Sequence, residues 1–163
     1  MRNFASISRF RFRFALVALS VAFVCVSTVG CGAVVERAQH RAAVEKVQSQ
    51  WVVYVNRFAD KAEAMQAAAP SDPLQVFRDS EKIYVECRDS ARLLDVSACP
   101  VDYQTAFHET LASLDAICDY LGKITSGEIA LDPSVEPEFR RLSNVFMSLM
   151  ARLDEVAARH CGQ

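Results

Sequence analysis

The sequence predicts an all-α fold, an antiparallel up-down-up-down four-helix bundle with a long first helix. Three observations carry this reading. Apolar residues beyond Val34 recur every three or four positions, which is the period of one helix face. No run alternates apolar and polar residues as a half-buried strand does. Punctuation is sparse and well placed: beyond Cys31 the glycines are Gly32, Gly122, Gly127 and Gly162, and the prolines are Pro70, Pro73, Pro100, Pro133 and Pro137. Four long amphipathic segments with short connections pack by default as an antiparallel bundle.

The first helix is expected from about Val34 to Ala69, stopped by Pro70. Its stripe is His40, Val44, Val47, Trp51, Val55, Phe58, Ala62, Met65 and Ala69. The second starts after Asp72, whose carboxylate suits an N-cap, with Pro73 at the first helical position. It carries Leu74, Phe77, Ser80, Tyr84, Cys87, Ala91 and Leu94 inward. The third begins at Pro100 after a short turn from Asp95 to Cys99. Its stripe runs through Tyr103, Phe107, Leu111, Leu114, Ile117 or Cys118, Leu121 and Ile124, and Ser126-Gly127 closes it. A loop of about ten residues, punctuated by Pro133 and Pro137, leads to the fourth helix with Phe139, Leu142, Phe146, Leu149, Leu153, Val156 and His160. The aromatic set Trp51, Tyr54, Phe58, Phe77, Tyr84, Phe107, Phe139 and Phe146 reads as core packing, with an apolar ligand slot between helices as the competing use.

Ahead of the bundle lies a different kind of segment. Residues 1–13 hold Arg2, Arg9, Arg11 and Arg13 and no acid, and Phe14 to Val29 carry no charge. That order is the basic n-region and apolar h-region of an export signal. The apolar run is shorter than the roughly 20 residues a membrane-spanning helix needs. Thr28-Val29-Gly30-Cys31 follows, and this stretch resembles the lipobox of bacterial lipoproteins. The resemblance covers residues 1–31 and implies removal of residues 1–30, a diacylglycerol thioether on Cys31, and acylation of the new amine. Each buried methylene of such chains contributes about 0.8 kcal/mol, so two or more chains hold a protein durably. The implied location is the bacterial cell envelope, anchored to the lipid bilayer on the exported side of a membrane and facing the periplasm if the cell is Gram-negative. The expected mature domain is 31–163. The first helix starts almost at Cys31 with no Ser/Gly tether, which would seat the bundle close to the membrane.

Cleavage would remove four of 18 bases and none of 20 acids, leaving 14 against 20, a formal charge of −6. That argues against a nucleic-acid partner, whose recognition rests on basic contacts to phosphate. Once Cys31 is set aside, four mature cysteines remain: Cys87, Cys99, Cys118 and Cys161. An even number in an exported chain reads as two disulfides. If adjacent helix ends are level, Cys99 and Cys161 share the end near Cys31. Cys87 and Cys118 then differ by about 15 Å in height, too far for a straight bundle to bridge. A scheme pairing Cys87 with Cys99 competes, and the connectivity stays open.

Chemistry is thinly signalled. His40 and His160 fall on the stripes of the first and last helices at one end, the geometry from which bundles ligate haem or metal. There is no Cys-x-x-Cys-His and no Glu-x-x-His, and a zinc site from His40, Cys99, His160 and Cys161 would need thiolates in an oxidising compartment. No cofactor is therefore expected. Asp102, Glu109, Asp115 and Asp119 make the third helix acidic, with no base on that helix before Lys123, which reads as a solvated face. No nucleophile–base pair or phosphate-binding loop stands out. The expected function is a non-enzymatic interaction or adaptor bundle docking an envelope protein; the rival is a haem-, metal- or apolar-ligand-binding bundle.

Overall fold

The computed structural model describes residues 31–68 and 72–162, with side chains from Val34 onward. The described residues form four helices and no strand: α1 (Cys31–Ala68), α2 (Pro73–Arg92), α3 (Val101–Thr125) and α4 (Val135–Cys161). Neighbours in sequence are neighbours in space, and α1 closes the ring against α4. The fold is the four-helix bundle that the periodicity predicts.

Local chemistry sets the boundaries. The Asp72 carboxylate accepts the Leu74 N–H at 3.0 Å, and Pro73 opens α2 where a missing N–H costs nothing. Pro100 is the N-cap of α3. At the other end Gly127 takes φ 81° and its N–H reaches the Ile124 carbonyl, a left-handed exit that suits glycine. Pro137 lies inside the first turn of α4 rather than in the preceding loop, a position where its N–H would have no helical partner anyway. The expected stop at Pro70 falls outside the described residues.

Cross-helix contacts fix the register. Between α2 and α3, Arg92 meets Asp115 at 2.6 Å and the Thr125 hydroxyl donates to Glu81 at 2.6 Å. Between α3 and α4, Arg152 meets Glu109 at 2.5 Å and His160 meets Asp102 at 2.9 Å. Gln48 of α1 donates to Asp154 of α4 at 2.6 Å, and Ser80 of α2 contacts Met65 of α1 at 3.6 Å. Lys61 pairs with Glu86 across the same α1–α2 seam.

Two offsets emerge that periodicity alone does not reveal. Arg92, the last residue of α2, stands level with the middle of α3 rather than with its start. The head of α3 therefore extends roughly 15–20 Å past the end of α2, ten to fourteen residues at about 1.5 Å each. The connection from Leu93 to Pro100 climbs that distance. It works as a strap: Leu94, Val96 and Cys99 are buried against the head of α3, and Gln104 donates to the carbonyls of Ser97 and Cys99. The second offset is in α1. Its charged residue Arg41 is near enough to Cys161 at the end of α4 to influence it, so the residues ahead of His40 run past the bundle. Val34 to Gln39 are all exposed.

The core follows the stripes. Val44, Val47, Trp51, Tyr103, Phe107, Leu114, Leu121, Phe146 and Leu153 are buried in one cluster. Trp51 and Phe107 meet edge-on across the α1–α3 diagonal, with centroids 6.1 Å apart. In the other half, Phe58, Tyr84, Phe139 and Phe77 form a chain of edge-on contacts linking α1, α2 and α4. The aromatic residues fill the interior against one another.

Candidate functional site

The end of the bundle nearest Cys31 carries a chain of polar side chains that runs from the core to the surface. Tyr103 is fully buried, and its hydroxyl donates to Gln48 Oε1 at 3.0 Å. The Gln48 amide then donates to Asp154 Oδ1 at 2.6 Å. Burial, together with the negative groups nearby, pushes the Tyr103 hydroxyl strongly up, so it remains a neutral donor. Partial desolvation raises the Asp154 carboxyl, and the Gln48 bond acts against that. Sequence reasoning placed Tyr103 in the core but missed this chain, because Gln48 and Asp154 sit beside their stripes and nothing local links them.

His160 is on the same end with its ring nitrogen 2.9 and 3.1 Å from the two Asp102 oxygens. Arg159 approaches Asp102 at 3.8 Å. Desolvation works to raise the Asp102 carboxyl; the His160 bond and charge, the Tyr103 N–H and Arg159 outweigh it and hold it below the usual carboxylate range. His160 is thus engaged by a carboxylate of α3. His40 is half-buried on α1. Among the described residues no three of His, Cys, Asp or Glu stand together in a way that holds a metal ion.

The acidic face expected of α3 is not a bare one. Glu109 pairs with Arg152 of α4, and Asp115 with Arg92 and Arg88 of α2 at 2.6 and 3.8 Å. The counter-charges come from neighbouring helices, which a reading of α3 by itself does not supply. Asp119 lies in an open groove between α2 and α3, beside Arg88, Cys118 and Lys123.

Among the described residues the cysteines form no disulfide. Cys87, Cys99 and Cys118 are buried thiols and Cys161 is partly buried. Burial raises all four, taking Cys87 to about 12 and Cys118 to about 11. The level argument that separated Cys87 from Cys118 is overturned by the register, since the offset of α3 brings the two to one height. Cys31 opens α1 with its side chain outside the described residues, as is the whole of the segment resembling an export signal.

No protein-family model matches the chain, and comparison with curated proteins and with solved structures finds no match. No helix among the described residues is long and apolar enough to cross a membrane. Among the described residues every buried side-chain nitrogen and oxygen has a hydrogen-bond partner, and burial keeps the four thiols protonated at neutral pH.

Proposed function

We propose that the protein is a bacterial envelope lipoprotein, held in the lipid bilayer through acylated Cys31, that acts as a non-enzymatic adaptor for another envelope protein. The observation that carries the anchor is the Thr28-Val29-Gly30-Cys31 stretch after an arginine-led apolar run. The adaptor reading is supported by apolar side chains facing outward on an otherwise well-packed bundle: Val52 and Val53 on α1 are about half exposed, at 46% and 52%. Solitary exposed apolar residues are ordinary; successive ones point about 100° apart, so the two valines together broaden the apolar surface that α1 turns outward, and that surface is the proposed docking point.

Both halves are testable in cells fed labelled palmitate. The wild-type chain takes up label and Cys31→Ser takes up none; equal labelling of the two sinks the anchor. A lysine-reactive crosslinker should trap a discrete complex that Val53→Asp abolishes while helicity by circular dichroism is unchanged. A complex insensitive to Val53→Asp argues against docking on this face of α1.

A further inference from the structure

We propose that the four thiols form two specific disulfides, Cys87 to Cys118 between α2 and α3, and Cys99 to Cys161 between the strap ahead of α3 and the tail of α4. The proposal rests on helix register and not on the anchoring reading.

The first pair is bracketed by contacts on both sides. Arg92 opposite Asp115 lies on one side of it, and Glu81 opposite Thr125 on the other. The Glu81 carboxylate also sits 3.4 Å from the point where a Cβ on Gly122 would lie. Interpolating between these contacts puts Cys87 level with residues 116–120 of α3, and Cys118 is the cysteine there. The two thiols are buried to the same degree, with 4% of each exposed, and Cys118 is close enough to act electrostatically on Cys87. The offset of α3 makes this pair and excludes the competing one. Level with Cys118, Cys87 stands 19 residues of helical rise from Cys99, about 28 Å, whereas a disulfide needs Cα atoms within about 7 Å.

The second pair is set by the α3–α4 register. Asp102 meets both His160 and Arg159, so Cys161 is level with the first residues of α3, and Cys99 immediately precedes the Pro100 cap. Both thiols are near enough to the Tyr103 hydroxyl to influence it, and Cys161 packs against the core cluster to which Cys99 belongs.

The chemistry balances with a disulfide oxidant of the glutathione class. One thiolate of a pair attacks the oxidant, forming a mixed disulfide and expelling one thiolate. The second cysteine attacks the mixed disulfide, the cysteine–cysteine bond forms, and a second thiolate leaves and takes up a proton. Two protein thiols are oxidised and one small disulfide is reduced to two thiols. Thiolate is the attacking form, and burial keeps these thiols protonated once packed. The bonds therefore form while the helices are still docking.

The test is to reduce and unfold the full chain, refold it in a mild detergent with glutathione disulfide and glutathione, block residual thiols, and map the crosslinked peptides. The expected result is two bridges, Cys87–Cys118 and Cys99–Cys161, with no alkylation at these four positions. In Cys87→Ser the expected free thiol is Cys118, with Cys99–Cys161 intact; in Cys161→Ser it is Cys99, with Cys87–Cys118 intact. Four free thiols in the refolded wild-type chain, or a dominant Cys87–Cys99 or Cys118–Cys161 bridge, overturns the proposal. The wild-type map decides this whether or not either variant folds.

Discussion

Asp102 and Asp154 occupy one end of the bundle and respond to pH in opposite directions. Asp102 is held below the usual carboxylate range by His160, Tyr103 and Arg159 acting against desolvation. A depressed folded value means that ionisation stabilises the fold, and the contribution is lost as pH falls through that value. Asp154 is raised by desolvation, so its ionisation opposes folding and the cost sets in as pH rises from the ordinary carboxylate range. Asp102→Asn should therefore lower the denaturant midpoint at pH 7, the loss in unfolding free energy being under about 1 kcal/mol since the site is half exposed. Asp154→Asn keeps the oxygen that accepts from Gln48 and should raise the midpoint at pH 7. Both differences should shrink toward pH 3. Urea titrations of the two variants at pH 3 and pH 7 check this, and a same-signed pair at pH 7 refutes the assignment. None of this was legible in the sequence, because each carboxylate takes its surroundings from a residue more than fifty positions away.

The helices themselves were legible where a residue carries its own instruction. Asp72-Pro73 started α2 as read, Pro100 marked the head of α3, and Ser126-Gly127 ended it, since caps and left-handed exits are local chemistry. Pro137 was misplaced by one turn because proline is as acceptable inside the first helical turn as before it. Asp72→Ala removes the acceptor for the Leu74 N–H and should cost about 1 kcal/mol, read as a shift in thermal midpoint. Asp72→Asn, which retains an oxygen acceptor, should recover most of it. The acidic face of α3 shows the converse. A helix read alone displays its charges but not their partners, and Arg88, Arg92 and Arg152 belong to α2 and α4.

At the scale of the whole molecule, the topology followed from four amphipathic segments and short connections, but the vertical offsets did not. An eight-residue link serves equally well as a compact turn or as a climbing strap, and periodicity fixes which face a residue occupies rather than its height. The height of Cys87 against Cys118 was misjudged for that reason. What the core requires was clearer. Trp51 is 2% exposed and packs edge-on against Phe107, and Phe146 lies in the same cluster. Trp51→Ala or Phe146→Ala should cost about 3–5 kcal/mol. Asp115→Ala removes exposed ion pairs and should cost about 0.2–1 kcal/mol, diminishing in high salt. Denaturant midpoints at low and high ionic strength separate the two kinds of loss.

The strap from Leu93 to Pro100 also divides the molecule into regions of unequal cooperativity. The head of α3 has no α2 beside it; its cover there is a short irregular segment holding on through Leu94, Val96, Cys99 and two bonds from Gln104. A segment with few backbone bonds of its own can lift away without the four-helix half coming apart. Native-state amide exchange should then resolve two opening events. The first turns of α3 would exchange by a low-energy excursion insensitive to denaturant, while Leu114 to Ile124 would wait for global unfolding. Joining Cys99 to Cys161 would fasten the strap at its far end and merge the two events into one.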